Sequence, residues 1–152
     1  MAVKAIPEGY YSLTPYLVVK GAAEAIEFYT KAFGATEMMR MPGPGGKIMH
    51  AELKIGNSVL MLSDENPERG YLSPASRGGN TSSVMFYTDD VDAAFRKAIA
   101  AGAKETTPVT DMFWGDRMGN LKDPAGHQWA IATHKEDVTP EEMQKRMQAI
   151  GT

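Results

Sequence analysis

The sequence predicts an α+β fold: two tandem βαβββ modules whose mixed sheets curve into a trough. Three observations carry this. First, two strand-helix pairs recur: Pro15-Tyr16-Leu17-Val18-Val19 precedes Ala22 to Phe33, and Ser83 to Thr88 precedes Val91 to Ala101. Second, each helix is closed by a glycine, Gly34 and Gly102, spaced 68 residues apart and each followed by alanine and further strands. Third, each half ends in a hairpin with a short turn. An internal duplication of this kind has one helix per sheet, so each sheet keeps a second face free to curve around something.

Each element has its own signal. Tyr16 to Val19 is β-branched and aromatic, which predicts a strand. In Ala22 to Phe33, Ala25, Ile26, Tyr29 and Phe33 fall at helical spacing, and Gly34 suits the left-handed stop. Ala35 to Met41 is a second strand, and Pro42 to Gly46 is a loop. Gly56-Asn57 closes a two-residue hairpin, which sets Ile55 against Ser58, Leu53 against Leu60, Glu52 against Met61 and His50 against Ser63. Opposed residues share a face. Met49, Ala51, Leu53, Ile55, Leu60 and Leu62 are therefore expected on the buried side, and His50, Glu52, Lys54, Val59, Met61 and Ser63 on the other, which is the trough side for His50 and Glu52.

Residues 64–81 are rich in Pro, Gly, Ser and Asn and read as a linker or mobile loop. Asp89-Asp90 starts the second helix, with Val91, Ala94, Phe95 and Ala98 on one side. The stretch Trp114 to Thr133 predicts two strands about a turn at Asp123-Pro124-Ala125-Gly126. With a one-residue bulge at Gly126, Leu121 opposes Trp129 and Asn120 opposes Ala130. The second face of that hairpin then carries Asp116, Met118, Asn120, Gln128, Ala130 and His134. Thr139-Pro140-Glu141-Glu142 has capping-box spacing with proline at the first helical position, so a short helix is expected there. The resulting divisions are a first module with its lead (1–66), a linker (67–81), a second module (82–135) and a tail (136–152).

Composition narrows the functional classes. The 152 residues are 43% hydrophobic and 23% charged, which is globular. A net charge of -3 gives no basic footprint for nucleic acid. The absence of cysteine removes disulfides, thiolate metal sites and cysteine nucleophiles. No apolar run approaches a membrane span, and the first residues lack a signal-peptide core, so a soluble cytoplasmic protein is expected.

The paired βαβββ units, the segments KGAAEAIEFYTKAFGA and DDVDAAFRKAIAAGAK, and the strand-turn LKDPAGHQWAIAT together resemble the vicinal oxygen chelate superfamily. That group contains glyoxalase I, extradiol dioxygenases, fosfomycin-resistance enzymes and bleomycin-resistance proteins. The resemblance covers residues 10–135. HAEL at 50–53, FWGDRMGNLKDPAGHQW and THKEDVTPEEM are most similar to the PhnB-like branch.

The resemblance implies a divalent metal held by His and Glu from equivalent strands of the two halves. Carried over residue by residue, these positions fall on Thr14, Met61, Ser83 and Ala130. None is a competent ligand, since hydroxyls are weak and Met61 offers a thioether at most. The usual metal site is therefore expected to be missing, and no cofactor is expected. A divalent metal at a relocated set, His50, Glu52, Asp116 and His134, is the alternative; against it, Glu52 and Lys54 read as a solvated strand face and His134 as a surface histidine.

Two functions follow from these readings. The first is a binder of a small, partly aromatic molecule, in a trough lined by Tyr16, His50, Glu52, Met61, Met85, Tyr87, Trp114, Asp116 and Asn120. The second is a metal-dependent lyase, isomerase or dioxygenase using the relocated site. Among the remaining residues, His127 reads as a turn or packing histidine and Trp129 as core. Trp114 reads as pocket wall, and Arg117 points away from Asp116. Met61, Met85, Met112 and Met118 read equally as adaptable lining and as core. The resemblance further implies a homodimer, each trough completed by the partner chain or by strand exchange.

Overall fold

The computed structural model describes residues 2–151. The first module is β1 (Tyr16–Val19), α1 (Ala22–Phe33), β2 (Thr36–Pro42), β3 (Ile48–Ile55) and β4 (Ser58–Asp64). A short helix α2 (Pro74–Arg77) leads to the second module, which is β5 (Ser83–Tyr87), α3 (Val91–Ala100), β6 (Lys104–Asp111), β7 (Asp116–Lys122) and β8 (Gln128–His134). A last helix, α4 (Pro140–Ile150), follows. The sheets run β1-β4-β3-β2 and β5-β8-β7-β6, so the duplication read from the glycine spacing is a duplication of topology. In each sheet the first strand is an edge strand paired in parallel with the last, Tyr16 level with Met61 and Met85 level with Ala130. The eight strands form two separate four-stranded sheets rather than one continuous one.

Local chemistry explains the helix bounds. Gly34 ends α1 in the left-handed conformation at φ 65°, its N–H donating to the Tyr29 carbonyl. Asp90 caps α3 by accepting from the Ala93 N–H at 3.0 Å. Thr139 caps α4 by accepting from the Glu142 N–H at 3.2 Å. The return half of that capping box is not made, because the Glu142 carboxylate turns to Arg146 instead.

Both hairpins adopt the expected pairing. Glu52 opposes Met61, Leu53 opposes Leu60 and Ile55 opposes Ser58. In the second module Asp116 opposes His134, Asn120 opposes Ala130 and Leu121 opposes Trp129. Met49 departs from the expectation: it was assigned to the buried side and is 53% exposed. The cause is a bulge. Met41 pairs with His50 while Pro42 pairs with Ile48, so Met49 has no partner on β2 and folds out over Gly43 while Ile48 enters the core. The 67–81 segment also folds rather than hanging free. It holds a 3-10 turn at Pro67–Arg69 and the helix α2, with Ser73 fully buried and its N–H donating to Glu65 at 2.7 Å.

A single core joins the modules. α1 packs on α3, and Tyr29 and Phe33 of α1 meet Trp129 of β8 with ring centroids 5.5 and 4.7 Å apart. The buried Asp123 sits at this seam. It accepts from the Tyr29 hydroxyl at 2.5 Å, from Trp129 Nε1 at 2.9 Å and from the His127 backbone N–H at 2.9 Å. His127 Nε2 in turn donates to the Val18 carbonyl of β1 at 2.8 Å. The turn that the sequence marks with proline and glycine is thus also a bracket between the two halves.

Removing the Asp123 carboxylate strands two buried donors, Tyr29 and Trp129. Asp123→Ala is expected to cost about 3 kcal/mol, a fall of roughly 10 °C in melting temperature for a chain of this size. Lys4→Ala, on an exposed i,i+4 pair, is expected to stay within about 0.5 kcal/mol. Thermal denaturation followed by circular dichroism checks both, and an Asp123→Ala shift no larger than that of Lys4→Ala would remove the seam from the account.

Candidate functional site

Each module turns one sheet face into the shared core and the other away from it. On the outward face of the first sheet, register places Tyr16, Met61, Glu52 and Met39 in one row across the four strands, with His50 and Met41 in the next. The polar members form a chain. Glu52 accepts from the Tyr10 hydroxyl and from His50 Nε2–H, the latter at 3.0 Å. His50 Nδ1 then accepts from the Tyr16 hydroxyl at 3.0 Å. An ionised carboxylate accepts only, so the ring donates to Glu52 from Nε2, and in the neutral tautomer this leaves Nδ1 to accept from Tyr16. Hydrogen bonds from Tyr10 and then His50 hold the Glu52 carboxyl below its usual range.

The outward face of the second sheet has an apolar floor. Met118, Ala130 and Ala132 are buried there with Met112 and Trp114 packed against them, separate from the main core. Asp116 stands at its edge with 6% of its side chain exposed. It accepts from the Tyr87 hydroxyl at 2.8 Å, from Trp114 Nε1 at 3.3 Å and from His134 Nδ1 at 2.8 Å. Burial pushes the Asp116 carboxyl up, but the hydrogen bonds from His134, Tyr87 and Trp114 outweigh it and the net displacement is downward. The other nitrogen of His134 meets Asp137 at 2.9 Å. Both ring nitrogens can donate to carboxylates only in the imidazolium, and the hydrogen bonds to Asp116 and then Asp137 raise the His134 pKa above its ordinary value.

Two hollows adjoin these faces. A cleft of about 820 Å³ lies between the β3-β4 turn and β5, lined by Leu13, Pro15, Val59, Met85 and Tyr87 among others. A second hollow, about 590 Å³, is lined by Tyr87, Thr88, Asp89, Thr133, His134 and Lys135.

The structure therefore groups the sequence candidates into two sets, not one. Tyr16, His50, Glu52 and Met61 share the first face; Met85, Tyr87, Trp114, Asp116, Asn120, Ala130 and His134 share the second. His127 and Trp129 take the structural places expected of them. Arg117 faces away from Asp116 and pairs with Asp92 and Asp111. Tyr10, from a lead that reads as irregular, and Asp137, from the tail, are the polar contacts sequence reading missed. Tyr10 lies 42 residues from its partner and has no local signal, whereas Asp137, three residues from His134, could have been found by asking what a histidine at a strand end pairs with.

A model of the Glyoxalase/Bleomycin resistance protein/Dioxygenase superfamily matches residues 12–131. The chain belongs to that superfamily. A Mycobacterium bovis protein described as uncharacterized is 42% identical over 143 residues, covering 92% of this chain and 94% of its own. The structure of TioX from Micromonospora sp. ML1 is similar at TM-score 0.64 and 28% identity, over 82% of this chain and 98% of that one. The PhnB protein of Bacillus cereus shares the fold at TM-score 0.63 and 18% identity, over 81% and 99% respectively.

The divalent metal associated with this superfamily does not fit the residues here. Thr14 lies just before β1, Met61 is on β4, Ser83 opens β5 and Ala130 is on β8. Their donors are two hydroxyls and a thioether, and alanine offers none. Level with Met61 stand Tyr16 and Glu52, and level with Ala130 stand Met85 and Asn120, which adds one carboxylate and no histidine. Nor does the relocated set converge within the chain: among the described residues no three His, Asp or Glu side chains gather as a metal site, and His50 and Glu52 pair on one sheet while Asp116 and His134 pair on the other.

The Asp116 contact gives a pH prediction. Because the folded His134 pKa is raised, its stabilising contribution is fully present below the unfolded value of about 6.5 and is lost as pH rises through the folded value. NMR titration should show His134 titrating above an ordinary histidine and returning toward one in Asp116→Asn. The stability difference between wild type and Asp116→Asn should shrink as pH rises through the same window. A His134 titration unmoved by the substitution would break the link.

Proposed function

We propose that this chain is a metal-independent binder of a small, partly aromatic molecule, and that it works in the cytoplasm as a homodimer. The observation that carries this reading is the apolar cluster on the outward face of the second sheet. A sheet face turned away from the core normally carries polar side chains. Here it carries Met118, Ala130 and Ala132 beside Trp114, with Asp116, Tyr87 and Asn120 as placed polar groups. Few fixed polar groups around a mostly apolar floor is the make-up of a ligand site. Thioethers and alanine methyls accept a flat ring without prescribing its outline.

Superfamily membership supports small-molecule binding and leaves the ligand open, since one scaffold hosts many chemistries. The donor set at Thr14, Met61, Ser83 and Ala130 favours binding without a Lewis acid. Superfamily membership supports the homodimer reading, in which a two-fold partner brings its first-module face, with Tyr16, His50, Glu52 and Met61, over the second-module face of this chain. Tyr16, Tyr87 and Met85 stay 46–55% exposed in the single chain, which is the surface such a partner and ligand would cover.

Three measurements test this. A thermal-shift screen of neutral and charged bicyclic and tricyclic aromatics should yield stabilising compounds whose effect disappears in Trp114→Ala. Elemental analysis of protein purified without chelator, and again after incubation with zinc, nickel, manganese and iron(II), should find no stoichiometric metal; about one per chain, lost in His50→Ala, would move the reading to the relocated-metal enzyme. Sizing with light scattering should give twice the mass of one chain, and a monomer would contradict the paired-face arrangement.

A further inference from the structure

We infer that the ligand of this site is a cationic, hydrogen-bond-donating aromatic, such as a protonated amine or amidine on a planar ring, and not a carboxylate, phosphate or phosphonate. This rests on the binding reading above and names the ligand class of the same site. The argument is an account of donors and acceptors. On the first face the Tyr16 hydroxyl is spent on His50, and His50 Nε2–H and the Tyr10 hydroxyl are both spent on Glu52. On the second face the Tyr87 hydroxyl, Trp114 Nε1–H and His134 Nδ1–H are all spent on Asp116. Each face therefore consumes its donors internally and presents what remains, the lone pairs of tyrosine oxygens and of two carboxylates. Asn120 is the one side chain of the lining set with an amide that both donates and accepts.

Charge points the same way. The carboxyls of Glu52 and Asp116 are held in their ionised form by these donors. With His134 protonated, the Asp116-His134-Asp137 group still carries a net negative charge. Lysines near the faces do not supply an anion site. Lys54 donates to the carbonyls of Gly9 and Asn57 at the end of its strand. Lys122 is at the far end of β7 from Asp116, roughly 20 Å along the strand. Lys135 lines its hollow together with Asp89. Arginine, the usual partner of a bound carboxylate or phosphate, is absent from both rows, and Arg117 is committed to Asp92 and Asp111 on the other side of the sheet. An anion would meet two carboxylates, with the Asn120 amide as the uncommitted donor of the lining set and Lys135 beside Asp89 at its margin. A ring bearing a cation would meet those carboxylates together with the π faces of Trp114, Tyr87 and Tyr16.

The test uses wild-type protein and two rigid tricyclic probes of similar outline, the cation proflavine and the anion anthracene-9-carboxylate, with fluorescence titration at low and moderate salt. Proflavine is expected to bind about tenfold or more tighter than the carboxylate, to weaken as salt rises, and to lose most of that preference in Glu52→Gln with Asp116→Asn. Circular dichroism of the double variant shows whether it is folded, and the wild-type comparison stands without it. Equal binding, or tighter binding of anthracene-9-carboxylate, would overturn the charge inference and leave the binding reading in place. Failure of both probes to bind would overturn the aromatic-binder reading and this inference with it.

Discussion

The structure depends on how one buried carboxylate joins two halves that could each have folded around their own helix. Asp123 takes hydrogen bonds from Tyr29 of the first module and from Trp129 and His127 of the second, while His127 reaches across to Val18. Burial and then the charge of Asp123 push the Tyr29 hydroxyl well above its ordinary pKa, so it stays a donor. An ionised acceptor with three donors is satisfied, and the same acceptor with any donor removed is a buried charge short of a partner. The halves are therefore held with their helices together. Their outward faces are left as open surfaces on two separate sheets.

That arrangement decides where chemistry can sit. The inward faces are packed by α1 and α3, and the cleft between the β3-β4 turn and β5 reaches their edge at Phe33 and Trp129. Each outward face carries a polar cluster organised around one carboxylate fixed by aromatic and histidine donors. The two faces solve the problem with different residues, Tyr10, His50 and Tyr16 around Glu52, and Tyr87, Trp114 and His134 around Asp116. The carboxylates stand on equivalent strands, β3 and β7, and Tyr16 and Tyr87 on β1 and β5, whereas His50 on β3 and His134 on β8 do not correspond. Tyrosine, tryptophan and histidine donors hold both carboxyls below their usual range.

Much of this was legible in the chain because the decisive contacts were short-range or periodic. The two hairpin registers followed from turn length, and the pairing of Asp116 with His134 followed from Leu121 opposite Trp129. The helix bounds followed from Gly34 and Asp90. What could not be read depended on contacts between distant segments or on irregular backbone. Tyr10 finds Glu52 across the lead and the whole of the first helix. Asp123 looks like an ordinary turn residue until Tyr29, 94 residues earlier, is seen to reach it. Met49 followed strand alternation on paper, but a bulge opposite Pro42 reverses it. The separation of the candidate residues onto two sheets was also hidden, since periodicity assigns a residue to a face of its own sheet and says nothing of which faces meet.

Subunit mixing tests most directly the claim that the first-module face of one chain and the second-module face of its partner make one site. His50→Ala with Glu52→Ala disables one face, and Trp114→Ala with Asp116→Ala disables the other. Neither variant alone should bind proflavine. When the two are unfolded together and refolded, the mixed dimers should each carry one site with both faces intact, restoring about a quarter of the wild-type binding capacity by statistical assortment. Full binding by either variant alone, or no recovery in a mixture shown to contain mixed dimers, would contradict a site shared between chains.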